Sequence, residues 1–336
     1  MTPRERALAA LKHEQPDQTP FNLGFTVPAR QKLAAHFGGE EPLQRPGNCL
    51  AITGARVPGE AWVEVRPDHW RDEFGVVWNR TIDKDIGNVE VFQLAERTLA
   101  GYSFPDPRSP RRFAHFPDFI RTHGDQLIGC DIGFSLFERA WTLRGMENLF
   151  FDMMEAPAFV DELLDAIADY NVAIVEEACR YPIDFVMFGD DWGQQRGLLM
   201  GPKNWRRFIK PRLERTYAAV KRAGRYVFIH SCGDVDELFP ELIAIGLDCF
   251  NPFQPEVMDV RAMKREYGRD LAFYGGVSTQ RTLPYGTPDD VRREVWGLCR
   301  DIGKEGGYIC APAHSVPRDV PLENLLALIE AVQQAP

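Results

Sequence analysis

His230 and Cys232, separated by one serine in "YVFIHSCGD" (residues 226–234), are residue types whose chemistry is easy to specify. The run before them is mostly apolar, which predicts a buried strand ending in the pair. Side chains two apart on a strand point the same way, so the imidazole and the thiol converge while Ser231 turns aside. An imidazole nitrogen and a thiolate are ligands that zinc takes, and a catalytic zinc uses three protein ligands and keeps a fourth position open. The pair therefore needs a third partner. "GYICAPAH" offers Cys310 and His314, four residues apart with Pro312 between them, so only one is expected to reach the centre. His314 lies farther toward the loop face and is favoured, with Cys310 the alternative. If no partner converges, Cys232 reads as a packed thiol and His230 as a hydrogen-bonded wall residue.

A second cluster stands in "MFGDDWGQQRG" (187–197). Adjacent carboxylates at a strand end cannot both face inward, but Asp190 or Asp191 in a partly dry mouth could act as a general base or bind a cationic group. The structural alternative has Asp190 capping the following segment and Asp191 pairing with Arg196. Trp192 is a candidate wall of a substrate pocket, or core.

The elements that position these residues follow a repeating order. From about residue 125, six strand-then-helix units run "QLIGCDI", "IDFVMFGDD", "YVFIHSCG", "DCFNPFQ", "LAFYGGV" and "GYICAPAH", each followed by a helical stretch. One of these stretches, "MENLFFDMMEAPAFVDELLDAIADYNVAIVEEACR", reads as continuous helix. With a first strand at "TPFNLGF" (19–25), the pattern predicts a parallel (β/α)8 TIM barrel, the eighth strand lying near "RAWTLRG" or within the irregular segment. Thr2 and Glu5 fit a capping box ahead of the first helix. Residues 26–110 read as an irregular insertion covering the barrel mouth, with a small antiparallel meander in "AWVEVRPDHWRDEFGVVWNR", and residues 1–336 as a single domain. Barrel sites form at the C-terminal strand ends. That rule adds Asn22, Asn251, Gln254 and Tyr274 as candidate substrate-binding residues, and the glycines of "FYGGVSTQ" mark a close backbone approach.

The totals limit the partners. The 336 residues carry 39 basic and 49 acidic side chains, a net charge of −10, without the basic excess that phosphate binding leaves. Nucleic acid is not an expected partner. The seven cysteines are odd in number and scattered, and the chain opens without a basic and apolar leader, so a reduced, cytoplasmic protein is expected. No apolar run approaches membrane-spanning length, and no membrane association is expected.

Several blocks together resemble the uroporphyrinogen decarboxylase superfamily: "MTPRERALAALKHEQPDQTPFNLG", "FGDDWGQQRGLLMGPKNWRRFIKPRL", "HSCGDVDELFPELIAIGLDCFNPFQPE", "GGVSTQRTLPYGTPDDVRREV" and "APAHSVPRDVPLENLLALIEAV". The resemblance implies a (β/α)8 barrel and one of two activities. The porphyrinogen decarboxylases carry an arginine-rich R-Q-A-G-R-Y block and an F-S-D-I stretch, and this sequence has neither. The corrinoid-linked methyltransferases carry H-x-C followed much later by Cys; His230 and Cys232 match the first half, and His314 falls where the later cysteine stands. The implied enzyme is a zinc-dependent methyltransferase moving a methyl group between a small substrate or thiol and cobalamin. With no D-x-H-x-x-G motif in the chain, a corrinoid would be free or brought by a separate protein. The alternatives are a metal-free decarboxylase and a non-catalytic tetrapyrrole- or corrinoid-binding barrel. A homodimer is a further expectation at the level of the family.

Overall fold

The computed structural model describes residues 1–39, 47–82 and 84–335. Thr2 does cap the first helix, Pro3–Leu11: its hydroxyl accepts from the Glu5 N–H while the Glu5 carboxylate accepts from the Thr2 N–H. Seven parallel strands then form one sheet. They are β1 (Leu50–Gly54) and, after the antiparallel meander of β2 (Trp62–Arg66), β3 (His69–Asp72), β4 (Val77–Asn79) and β5 (Asn88–Val91), the run β6 (Leu127–Ile132), β7 (Phe185–Gly189), β8 (Tyr226–His230), β9 (Cys249–Phe253), β10 (Ala272–Val277) and β11 (Tyr308–Pro312). The sheet order is β1-β6-β7-β8-β9-β10-β11, and the six strands expected after residue 125 are all present.

Three expectations are corrected. The stretch "RAWTLRG" is not a strand; it lies in the helix Phe137–Arg144, and the further strand is β1, so residues 26–110 are not uniformly an insertion. The long helical stretch is two helices, Met146–Glu155 and Pro157–Ala178, because Pro157 begins a new first turn. The expected first strand at 19–25 is reduced to single bridges, Phe21 with Cys310 and Phe25 with Val316. Pro20 has no N–H to give a ladder, and side-chain amides replace part of it: Asn48 Oδ1 accepts from the Leu23 N–H at 2.8 Å, and Asn22 Oδ1 from the Leu50 N–H at 3.3 Å. This segment still stands between the two edges of the sheet, since the Cys310 N–H donates to the Pro20 carbonyl and the Cys49 N–H to the Phe21 carbonyl.

Alternate residues of the parallel strands make a packed interior of Leu50, Leu127, Phe185, Phe228, Cys249, Ala272 and Ile309. Phe185 and Phe228 stack with centroids 4.3 Å apart, and Phe185 occupies the space that a side chain at position 129 would need. The meander is tied down by one buried carboxylate. Asp72 accepts from the Phe74 and Val76 N–H groups and the Trp78 indole, and pairs with Arg139 at 3.0 Å.

A Cβ added at Gly129 would lie 2.3 Å from the Phe185 ring. Gly129→Ala should therefore overpack the interior and lower unfolding stability by about 1–3 kcal/mol, read as a lower denaturant midpoint. An unchanged midpoint would mean that the ring moves aside freely.

Candidate functional site

The site begins with the loop after β8. Gly233 has φ +90°, a conformation natural to glycine, and its Cα faces Gly193 of the loop after β7 so closely that a Cβ would lie 2.3 Å from the Gly193 carbonyl carbon. The Gly193 N–H donates to the Cys232 carbonyl at 3.2 Å, and the Asp234 N–H to the Gln194 carbonyl at 2.8 Å. Two backbones pressed together in this way leave Cys232 no freedom to turn away. Ser231 is buried on the other side and accepts from the Trp192 N–H.

His230 and Cys232 thus face one point, with Nε2 3.4 Å from Sγ. His314, two residues past β11, joins them: its ring lies edge-to-face on His230 with centroids 5.5 Å apart, and one ligand atom from each of His230, Cys232 and His314 falls within a 4.8 Å circle. Tetrahedral bonds of about 2.0–2.3 Å put ligand atoms roughly 3.5 Å apart, so about an ångström of side-chain movement would close the set on an ion.

The imidazole is oriented for this. Asn251 Nδ2 donates to the Tyr274 carbonyl at 2.9 Å, which fixes the amide so that its Oδ1 lies 2.6 Å from His230 Nδ1. An oxygen there can only accept, so Nδ1 carries a proton, and Nε2, the nitrogen beside Cys232, is the one turned toward the other two side chains. That assignment follows from the hydrogen-bond network, and it is the arrangement that metal-bound histidines share.

The surroundings are acidic. Burial, then the Asp191 and Glu138 charges, push the Cys232 thiol above its ordinary value. Glu138 is pushed well up by burial and by Asp191 and Asp190. His314, an exposed residue at the mouth, is held below its usual value by desolvation and by His230. A thiol held protonated by burial and by nearby carboxylates, with an imidazole nitrogen beside it, is a donor set that a cation would complete, since its charge inverts this local balance.

The remaining candidates divide. Asn22, Asn251 and Tyr274 line a cavity of about 160 Å³ with His230, Met187 and His314, and Asn22 donates to the Tyr274 hydroxyl at 2.8 Å. Asp191 reaches the mouth, where it accepts from the Cys232 N–H at 2.8 Å and stands 3.9 Å from His230 Nε2, not against Arg196. Three expectations are corrected, those for Asp190, Trp192 and Cys310. Asp190 is fully buried and accepts from the Leu136 and Glu138 N–H groups and the Trp192 indole, so it caps the helix Phe137–Arg144 instead of facing substrate. Burial raises its pKa to about 6 even against those donors. Trp192 has no exposed surface and packs on Trp205. Gln254 spends its carbonyl on the Gly233 N–H at 3.1 Å. Cys310 is wholly buried in thiol contact with Cys299, because its neighbour Ala311 takes the inward direction and alternation sends Cys310 out to the helices.

Glu138 and Arg56 were absent from the sequence-derived site. Glu138 opens a helix whose cap, Asp190, lies 52 residues away, so no local signal marked it. Asp131 was legible as a polar strand end. Arg56, which contacts it at 3.3 Å, was hidden in the irregular segment.

A family model described as uroporphyrinogen decarboxylase (URO-D) matches residues 134–335. Among curated relatives, a methylated-thiol–coenzyme M methyltransferase of Methanosarcina mazei is 26% identical over 200 residues, 60% of this chain and 51% of that protein. A methylcobamide:CoM methyltransferase of Methanosarcina barkeri is 27% identical over 172 residues, 51% of this chain and 48% of that protein. A uroporphyrinogen decarboxylase of Psychromonas ingrahamii is 24% identical over 250 residues, 68% of this chain and 66% of that protein. The chain spans about half the length of the two methyltransferases it matches. Among solved structures, a methyltransferase from Methanosarcina mazei aligns over 99% of both chains with a TM-score of 0.75 at 18% identity, a likeness of fold.

Asn251→Ala should release the His230 tautomer. The ¹⁵N shifts of the His230 ring should then report proton exchange between Nδ1 and Nε2, and affinity for an added divalent zinc ion should fall about 10–100-fold. An unchanged ring spectrum would remove Asn251 from this role.

Proposed function

The chain belongs to the uroporphyrinogen decarboxylase family, and we propose that within it this protein is a zinc-dependent methyltransferase acting with a corrinoid on a small methylated substrate or a thiol. One observation carries the reading: His230, Cys232 and His314 bring two nitrogens and a sulfur within 4.8 Å of one another at the C-terminal strand ends. The relatives named for methylcobamide, coenzyme M and methylated thiols support the reaction class. The Phe21 segment is read as the eighth stave of a closed barrel, and residues 1–336 as one domain whose β2–β5 meander is an insertion.

His230, Cys232 and His314 would hold the metal. When bound, zinc supplies Lewis acidity, keeping a thiol as thiolate at neutral pH or polarising an ether oxygen. The chain's own residues do the rest. Asn251 holds His230 in the ligating tautomer, and Asp191, fixed by the Cys232 N–H, is placed to take up the proton that an incoming thiol gives up. Asn22 and Tyr274 shape the cavity beneath, where in-line transfer needs the donor carbon and the acceptor within contact distance. Asp190 positions Glu138 and Trp192 and touches no substrate. The corrinoid comes free or on a separate protein docked over the mouth.

A metal-free decarboxylase is the second reading, supported by the relatives of that name. Metal analysis divides the two. The purified protein should hold one zinc per chain; Cys232→Ala should lose it, and methyl transfer between methylcobalamin and a thiol should fall by at least about a hundredfold. Zinc and transfer retained in that variant would contradict the proposal, and chelator-insensitive decarboxylation of a carboxylated tetrapyrrole would establish the alternative.

A further inference from the structure

At the N-terminal strand ends, opposite the triad, the segments that lead into β10 and β11 enclose a cavity of about 510 Å³. Five arginine and lysine side chains line it against two carboxylates, in a chain whose net charge is −10. The basic excess is local. We propose that this cavity binds the diphosphate group of a small ligand, at a site separate from the metal triad.

Lys264 carries the argument furthest. Its stem is boxed in by two glycines: a Cβ at Gly268 would lie 2.5 Å from Lys264 Cδ, and one at Gly307 would lie 2.7 Å from Lys264 Nζ. The half-buried ammonium donates to the Gly306 carbonyl, a neutral partner that occupies one of its three donors. Among the described residues no carboxylate stands within ion-pair reach of it, and Glu305 acts only from farther off. Burial lowers the ammonium to about 8 for this reason. A lysine taken out of water normally has a counter-ion, and an anion in the cavity would supply it.

The other cations fix the kind of anion. Arg261 is spent on Asp301, at 3.0 and 2.9 Å. Among the described residues, Arg265, Arg269 and Lys304 have no carboxylate within ion-pair reach, and Arg265 acts on Asp259 only at longer range. Like charges gathered in this way repel one another, and an anion between them relieves the repulsion. Two guanidinium forks binding side by side take up the oxygens of one phosphate. A second phosphate then gives the two lysines their partners, and the volume is that of a small-molecule site. The walls are also fixed: His13 Nδ1 lies 3.0 Å from the Gly268 carbonyl, and residues 305–307 all take a positive φ.

The test is calorimetric titration of the purified protein at about 0.15 M salt with inorganic pyrophosphate, ADP, orthophosphate and sulfate. One pyrophosphate or ADP per chain should bind, at least about tenfold more tightly than orthophosphate. Tighter ADP would assign the diphosphate to an organic ligand, and tighter pyrophosphate to the free anion. Lys264→Met, which keeps the stem and removes the charge, should weaken pyrophosphate about tenfold or more. Arg269→Ala, at an exposed side chain that the fold does not need, should do the same, whereas Lys203→Ala, outside the cavity, should not. Sulfate or orthophosphate binding as tightly as pyrophosphate would mean an adventitious ion only and would overturn the site. So would an affinity for pyrophosphate that neither Lys264→Met nor Arg269→Ala alters.

Discussion

The contact between two backbones, Gly193 against Gly233, is the constraint on which the rest of the site depends. Neither position has room for a Cβ: at Gly193 one would lie 2.7 Å from the Cys232 carbonyl oxygen. Because the loops after β7 and β8 are locked together, the backbone of Cys232 is held beside that of Gly193, and the sulfur faces the imidazole. Gln254 reinforces the lock from β9 through the Gly233 N–H, and Asp191 from β7 through the Cys232 N–H. Polar residues that would otherwise read as substrate contacts are therefore spent on holding the ligands still, which is what a preorganised centre requires.

Electrostatics then gives the arrangement its direction. Asp191 and Glu138 crowd the thiol, and each carboxylate makes loss of the Cys232 proton harder. Without a cation this would be an inert cysteine. With one, the same carboxylates become favourable neighbours of a positive centre, and the geometry that suppresses the thiolate becomes a device for tuning it. His230 is prepared on its far side by Asn251, whose own orientation is set by the Tyr274 carbonyl. The order of dependence runs from β10 through β9 to β8.

Much of this was legible in the sequence, and the limits have physical causes. Six parallel strands, the meander, the first helix cap and the convergence of His230 with Cys232 rest on local rules, alternation and capping, and they are found where those rules place them. His314 was preferred to Cys310 for its place beyond the strand, and alternation explains the outcome, since Ala311 faces in and Cys310 faces out. What failed was nonlocal. Asp190 caps a helix from a distance of 52 residues, and Asn22 and Asn48 replace a strand ladder with side-chain bonds. Adjacent acidic residues at a strand end look alike in sequence; only the packing decides that Asp190 goes to the core and Asp191 to the mouth.

X-ray absorption at the zinc edge of the purified protein tests the central claim most directly. One sulfur at about 2.3 Å with two imidazole nitrogens at about 2.0–2.1 Å is the shell that His230, Cys232 and His314 would give. A shell with two sulfurs, with none, or of oxygen alone would contradict the account.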